Sequence, residues 1–124
     1  MDVTPIIPAD RQFIESYGEG EFRVSGTVYQ GPVLVFPDHS RAWPVASFET
    51  MTVEAFAPVM SADPPVELLL LGSGQKMQLL PGALRRDLRS AGVVVEVMDT
   101  GAACRTYNIL LAEARRVAAA LLPI

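Results

Sequence analysis

The chain is short of the residue types that cross-link a fold or bind a metal. Its 124 residues include one cysteine (Cys104), one histidine (His39) and one lysine (Lys76). A single cysteine excludes an internal disulfide and favours a reducing compartment. A zinc site is not expected, because its ligands would have to be mainly carboxylates. We therefore predict no bound metal and no cofactor.

Long apolar runs are also missing. Runs such as residues 68–71 and 117–122 are far too short to span a membrane. The first eight residues lack the basic and apolar regions of a signal peptide. The sequence therefore predicts a cytoplasmic protein without a membrane span.

Charge is scarce and unevenly placed. Half of the residues are hydrophobic, 19% are charged and the net charge is −4, which is typical of a folded domain. Six of the ten basic residues are arginines on the last two predicted helices. An acidic chain with one lysine is a poor nucleic-acid binder, so we expect no nucleic-acid partner. The arginine-bearing helices are either ordinary solvated faces or surfaces for an acidic protein partner.

The first half of the chain predicts an irregular segment, a hairpin and a short helix. Residues 1–20 are interrupted by prolines and glycines. Residues 22–29 alternate as in a half-buried strand, and a turn at Gln30-Gly31 leads into a second strand over 32–36. A short helix is predicted over 53–60.

The second half predicts a βαβ unit and a long final helix. Residues 66–71 and 93–98 are nearly continuous apolar runs, as in buried parallel strands. The helix between them begins at Pro81 and ends before Gly92, so the two strands should be parallel with a right-handed crossover. The last helix is predicted over about 102–122, because apolar residues recur there at helical spacing.

A glycine turn follows the first of these buried strands. Gly72-Ser73-Gly74 lies where α/β folds often bind ligands. A phosphate cradle needs such a turn to open directly into a helix, whereas residues 75–80 intervene here. A tight structural turn is therefore favoured, and anion binding near Lys76 is the alternative.

Polar residues crowd the start of the last predicted helix. Asp99 or Thr100 is expected to cap it. Cys104, near the helix N-terminus and beside Arg105, fits either a reactive thiol or a semi-buried packing thiol. The second interpretation is favoured because His39, the only histidine, is distant in sequence. No catalytic residue is predicted.

Two further polar residues of this helix are expected to be structural. Tyr107 falls in the apolar stripe, so its ring should pack while its hydroxyl finds a hydrogen-bond partner. Asn108 is unfavourable inside a helix, which suggests a specific hydrogen bond, more simply to the loop after a neighbouring strand than to a ligand.

The glycine turn and the helix start should lie side by side, because the carboxyl ends of parallel strands meet at one edge of a sheet. A crevice there would be the candidate binding region, whether for a protein or for a small molecule. Its residues would be Gly72, Ser73, Gly74, Asp99, Thr100, Cys104, Arg105, Tyr107 and Asn108.

Several of these segments resemble one known family. They are residues 22–26, 69–74, 98–100, 103–108 and 113–121. The family is a small one of unknown function that includes the mitochondrial complex I assembly factor 3 and uncharacterised single-domain bacterial proteins. The resemblance covers nearly the whole chain.

The resemblance implies one layered α/β domain over residues 1–124, with a mixed sheet of about five strands and a long C-terminal helix. It implies a non-catalytic interaction protein with protein partners, such as an assembly factor for a respiratory or other multi-subunit complex. The alternative is a small-molecule or anion-binding protein, or an enzyme, that uses Gly72–Gly74 and Asp99–Asn108.

The chain departs from the family pattern at two positions. Ser73 stands where threonine is expected, and Ala114 stands where glycine is common. A smaller residue at 114 would allow closer helix packing.

Overall fold

The structure, a computed structural model, describes residues 11–124. This part of the chain begins with a small antiparallel sheet. Its strands are β1 (Ile14–Gly18), β2 (Glu21–Val24) and β3 (Thr27–Gln30), paired in that order. Residues 1–10, the first half of the segment predicted to be irregular, lie outside the described residues.

The turn between β2 and β3 corrects the predicted hairpin. Ser25 and Gly26 have φ angles of 45° and 87°, which makes Ser25-Gly26 a left-handed two-residue turn. The predicted single strand over 22–29 is therefore two strands, and its predicted pairing with 32–36 is wrong. Residues 14–18, within the segment predicted to be irregular, form β1 because β2 supplies their backbone partners.

The larger sheet has five strands. They are β4 (Val33–Val35), β5 (Ser40–Ala42), β6 (Leu68–Gly72), β7 (Val94–Met98) and β8 (Val117–Leu121). Their spatial order is β5-β4-β8-β6-β7. The β6–β7 and β6–β8 pairs are parallel, whereas β4 is antiparallel to both β5 and β8. The mixed five-stranded sheet is therefore confirmed.

Helices connect the strands of this sheet. The segment predicted as a helix over 53–60 is helical throughout, as a 3-10 turn (Val53–Phe56) continued by α1 (Ala57–Met60). The predicted βαβ unit is confirmed, because α2 (Gly82–Ser90) joins the parallel strands β6 and β7. Gly92 ends that connection with a φ of +86°.

The last helix is shorter than the sequence predicts. Helix α3 (Thr100–Ala112) is followed by a turn and then by β8, so the predicted continuation of the helix to Leu122 is wrong. Strand β8 lies in the middle of the sheet, where β4 and β6 supply hydrogen bonds along both of its edges. That pairing prevails over the helix propensity of its alanines, because propensity is a weak preference.

The hydrophobic core has two parts, one on each face of the large sheet. Alternate residues of β8 belong to different parts. Ala118 and Ala120 pack in the cluster that contains Trp43 and Phe56. Ala119 packs in the cluster that contains Tyr107 of α3. Helix α3 therefore covers one face of the sheet and lies between it and the small sheet.

The turn after α3 is a Schellman motif built on an alanine. The Ala114 N–H donates to the Leu111 carbonyl at 3.0 Å, and the Arg115 N–H donates to the Leu110 carbonyl at 3.1 Å. Ala114 holds a φ of +59°, a region that favours glycine. Glycine at this position therefore suits the left-handed conformation, which corrects the expectation that it serves closer helix packing.

We expect Ala114→Gly to raise the free energy of unfolding by about 1 kcal/mol, because it relieves the left-handed strain of an L-residue. Urea denaturation measures this change. Ala112→Gly is the control, because the same substitution at the last helical residue should lower stability by about 0.5–1 kcal/mol. A loss of stability in Ala114→Gly would contradict the prediction.

Candidate functional site

The glycine turn and the start of α3 lie side by side, as the parallel strands predict. The Thr100 N–H donates to the Gly74 carbonyl at 2.8 Å, and the Gly74 N–H donates to Thr100 Oγ1 at 2.9 Å. Thr100 Oγ1 in turn donates to the Leu122 carbonyl at 2.7 Å, after β8. One fully buried hydroxyl therefore ties together three consecutive strands of the sheet at their carboxyl ends.

Gly72 allows this close contact. A Cβ atom at Gly72 would lie 3.0 Å from both Thr100 Cα and Thr100 Oγ1, and 3.1 Å from Leu121 Cδ2. Two of these three atoms belong to the residue that opens α3, so any larger side chain would push the helix away from β6. Gly72 therefore allows the start of α3 to pack closely against β6.

The Ser73 side chain closes the loop that follows. Its buried Oγ lies 2.8 Å from the Lys76 carbonyl and 3.2 Å from the Met98 carbonyl, and it accepts the Gln78 N–H at 3.1 Å. The Gln78 side-chain amide donates to the Ser73 carbonyl at 2.9 Å. The polar groups of Ser73 are thus engaged within the chain.

Asp99 is the helix cap. Its carboxylate accepts the Ala102 N–H at 2.9 Å, in an extended backbone conformation typical of an N-cap. Thr100 is therefore the first helical residue. Of the two capping residues that the sequence allowed, the structure selects Asp99.

The polar residues further along α3 attach the small sheet. The Asn108 side chain accepts the Ile14 N–H at 3.0 Å and donates to the Ile14 carbonyl at 2.8 Å, which mimics a strand pairing. The Tyr107 hydroxyl donates to the Gln12 carbonyl at 2.9 Å. The structural hydrogen bond expected for Asn108 is therefore present, but its partner is the backbone of β1 and not a loop after a strand.

Arg105 completes that attachment on the surface. Its guanidinium donates to the Tyr17 hydroxyl at 2.7 Å. The same hydroxyl lies above Gly101, where an added Cβ would be 2.9 Å from it. The first turn of α3 is covered by β1 on this side and by the glycine turn on the other.

Cys104 packs in the core, as the favoured interpretation predicted, and it is fully buried rather than semi-buried. Burial raises its pKa to about 12, although the neighbouring Arg105 lowers it. Burial likewise raises the pKa of the Tyr107 hydroxyl above its ordinary value. Both groups therefore stay protonated at neutral pH, and the Cys104 thiol lacks the nucleophilic thiolate form.

The raised pKa of Cys104 predicts a loss of stability at alkaline pH. The thiol of the unfolded chain ionises near 9.0 and that of the folded chain near 12, so the unfolded state loses its proton first. Ionisation of Cys104 therefore leaves the free energy of unfolding unchanged below pH 9. Between pH 9 and 12 it should lower that free energy by at most about 1.4 kcal/mol per pH unit. Urea denaturation at pH 8, 9 and 10 measures this slope.

Cys104→Ala is the matched variant for this prediction, because it removes the ionising group. Its stability should change less between pH 9 and 10 than that of the parent chain. Identical pH slopes for the two proteins would contradict the assignment.

The sequence interpretation missed an exposed apolar pair in the loop between β6 and α2. The Leu79 side chain is 86% exposed and that of Met77 is 56% exposed. The available signal was three apolar residues, Met77, Leu79 and Leu80, between the glycine turn and Pro81, in a segment that was treated only as a spacer.

Metal binding and membrane spanning find no support in the described part of the chain. Residues 11–124 contain no group of three His, Cys, Asp or Glu side chains that could hold a metal ion. No helix among them is long and apolar enough to cross a membrane.

The fold and this junction define a class of protein, namely α/β domains with a mixed five-stranded sheet. The chain matches the family described as a protein of unknown function (DUF498/DUF598) over residues 14–122, and it belongs to that family. A crystal structure of a protein from Bordetella parapertussis is 37% identical and superposes with a TM-score of 0.83, covering 92% of this chain and 97% of that one.

Two relatives extend the comparison. A Xenopus tropicalis protein named NADH dehydrogenase [ubiquinone] 1 alpha subcomplex assembly factor 3 is 36% identical over 115 residues, which cover 93% of this chain. The match spans only 63% of that assembly factor's length. An uncharacterised protein of Rhodobacter capsulatus is 39% identical over 111 residues, covering 90% of this chain and 84% of its own. The family resemblance inferred from the sequence is therefore confirmed.

Proposed function

We propose that this chain is a non-catalytic interaction protein that helps to assemble a respiratory or other multi-subunit complex in the cytoplasm. Support comes first from relatives named as assembly factors of NADH dehydrogenase. It comes also from the nine candidate residues, most of whose polar groups are engaged in hydrogen bonds that hold the fold together.

The observation that carries this proposal is the exposed apolar pair of the loop before α2. Met77 and Leu79 point to solvent although the loop is anchored on both sides. Ser73 and Gln78 hydrogen-bond across its base, and Leu80 is buried in the core. A partner would therefore meet two apolar side chains on a preformed loop, at little cost in ordering entropy.

We name this loop the apolar loop (residues 75–80). It and the helix that follows are rich in basic residues. Residues 74–91 contain one lysine and three arginines against a single acidic residue, Asp87. The Arg86 guanidinium lies at the start of α2, because a Cβ at Gly82 would be 3.4 Å from it. The partner segment should therefore be acidic and carry apolar residues.

The test uses a strain of the native host that lacks this gene, complemented with the full chain or with variants. Leu79→Glu should lower the amount of mature respiratory complex on native gels at least fivefold, as an approximate expectation from loss of an interface anchor. Val28→Glu is the control, because Val28 is 49% exposed on the small sheet. It should complement fully.

Thermal denaturation of both variants checks that the folds are equally stable. Normal assembly in the deletion strain would contradict the assembly role. Equal behaviour of the two variants would contradict the assignment of the apolar loop as the docking surface.

A small-molecule or anion-binding role at Gly72–Gly74 and Asp99–Asn108 is the weaker candidate. The Gly74 and Thr100 N–H groups and the Ser73 hydroxyl already have partners within the chain. A ligand would have to displace these bonds, which costs the desolvation of each group left unpaired. Thermal-shift screening with nucleotides and organic anions tests it, and a stabilising hit lost in Lys76→Gln, which removes the cation beside the glycine turn, would support it.

A further inference from the structure

Strand β7 is an open edge of the large sheet. It is last in the order β5-β4-β8-β6-β7, and among residues 11–124 it pairs with β6 alone. The Val94 N–H donates to the Glu67 carbonyl at 3.0 Å, and the Met98 carbonyl accepts the Ser73 N–H at 2.9 Å. The backbone groups of residues 94 and 98 therefore face β6.

The backbone groups between them face away from the sheet. Successive residues of a strand turn their N–H and C=O groups to opposite sides, so those of Val95 and Val97 point outward. The Val95 carbonyl accordingly accepts a hydrogen bond from the Arg85 guanidinium at 2.7 Å. The two valine N–H groups and the Val97 carbonyl bond to no other described residue. Such a row of unpaired groups is a template for an added strand.

Two arginines of α2 lie along this edge. Arg85 reaches it through the bond to the Val95 carbonyl. Arg89 is one helical turn further on, so it projects from the same side of the helix. Asp87, the single acidic residue of α2, is two positions from each of them and projects from the opposite side. Neither arginine is in an ion pair with another described residue, so two uncompensated positive charges flank the edge.

The two faces of β7 differ in chemistry. Val95 shares a core cluster with the buried leucines of α2. Glu96, the next residue, points to the opposite face and is exposed. Val94, on the same face as Glu96, is 45% exposed. The only carboxylate of β7 is therefore on the other side of the sheet from the two arginines.

The charges disfavour a second copy of this chain as the added strand. Two β7 edges related by a two-fold axis would form one continuous antiparallel sheet, with both α2 helices on the same face. The arginines of the two helices would then face one another across the junction, and such like-charge contacts oppose association. A strand with carboxylates on its α2 face meets these arginines favourably.

We propose that the β7 edge binds an extended segment of a partner protein in which acidic and apolar residues alternate. The segment adds as a sixth strand whose backbone pairs with Val95 and Val97. Its carboxylates meet Arg85 and Arg89 on one face, and its apolar side chains pack beside Val94 on the other. In strand addition of this kind, backbone bonds supply affinity and alternate side chains supply specificity. The proposal does not depend on the assembly role, because its test needs only this chain and a peptide.

The test uses the full chain and a short, end-blocked peptide in which glutamate alternates with valine. Two-dimensional NMR follows amide hydrogen exchange residue by residue. In the free chain the Val95 and Val97 amides should exchange faster than those of Val94 and Glu96, which β6 protects. Saturating peptide should slow exchange at Val95 and Val97 by at least about tenfold, because a backbone bond now protects them. Binding through charge alone would not produce this alternation.

Two control peptides separate the charge from the backbone bonds. A peptide with lysine in place of glutamate should bind at least about fivefold more weakly at the same ionic strength, because it meets the arginines with like charge. The glutamate peptide methylated on its backbone nitrogens should not bind, because it cannot donate to the Val97 carbonyl or lie against the edge. This second peptide tests the edge on the unaltered chain.

Variants of the chain repeat both tests. Val97→Pro should weaken peptide binding at least about fivefold, because it removes an outward N–H and leaves the bonds to β6 in place. Val97→Ala is the matched control, which keeps that N–H and should bind as the parent chain does. Arg89→Gln should weaken binding about twofold to fivefold. Arg41→Gln, the same charge change on β5 at the other edge of the sheet, should have no effect.

Fast exchange at Val95 and Val97 that persists with saturating peptide would overturn the proposal. Equal binding of either control peptide, or equal binding by Val97→Pro and Val97→Ala, would do the same. Slow exchange at these two amides in the free chain would mean that the edge is already covered. Self-association of the free chain that is lost in Val97→Pro would assign the edge to a second copy.

Discussion

Replacing Ala119 with arginine is expected to leave the domain unfolded at 25 °C. Ala119 lies in the central strand β8, fully buried against α3. An arginine there would bury an unpaired charge at a cost of several kcal/mol and would overpack the layer beneath the helix. Together these costs reach the whole stability of a typical domain, about 5–15 kcal/mol.

The control for this variant is Ala91→Arg. Ala91 is exposed at the end of α2, and a surface substitution there should change stability by at most about 0.5 kcal/mol. Circular dichroism and urea denaturation compare the two proteins. In a continuous helix over 102–122, Ala119 would instead lie opposite the apolar stripe, beside Arg105 and Arg115. A folded Ala119→Arg variant would therefore contradict the strand and support that helix.

Thr100→Val is expected to lower the free energy of unfolding by about 2–6 kcal/mol. The two side chains have nearly the same shape, but valine can neither accept the Gly74 N–H nor donate to the Leu122 carbonyl. Each of these buried backbone groups would lose its Thr100 partner, at about 1–3 kcal/mol apiece. Urea denaturation at pH 7 measures the loss.

Thr100→Ser separates the hydroxyl from the methyl group. It keeps both hydrogen bonds and removes one buried methyl, so it should cost only about 1 kcal/mol. If the serine variant lost as much stability as the valine variant, packing of the methyl would account for the effect, and the proposed role of the hydroxyl would be wrong.

The candidate site was predictable in its position. The apolar runs of β6 and β7, with Pro81 and Gly92 around the helix between them, indicate parallel strands. Parallel strands bring their carboxyl ends to one edge, so Gly74 and Thr100 had to meet. A helix cap at Asp99 or Thr100 follows from local chemistry alone, because a cap bonds only to its own first turn, and the structure selects Asp99.

What these residues do at the junction was not predictable from local sequence. Thr100 bonds to the segment after β8, and Asn108 bonds to β1, 94 residues away. Such contacts depend on where distant segments pack, which no short-range pattern records. The polar residues at the start of α3 therefore bind the helix to the large sheet on one side and to the small sheet on the other.

The sequence by itself determined the α/β class, the βαβ unit, a helix cap at Asp99 or Thr100 and the packing role expected of Cys104. Only the tertiary structure decided that residues 113–121 form a turn and a strand instead of continuing α3. Ala114 takes the left-handed turn that glycine usually marks, so no stop signal is visible in the sequence. The following alanines favour a helix locally, but two neighbouring strands satisfy their backbone groups along both edges of β8 and bury them completely.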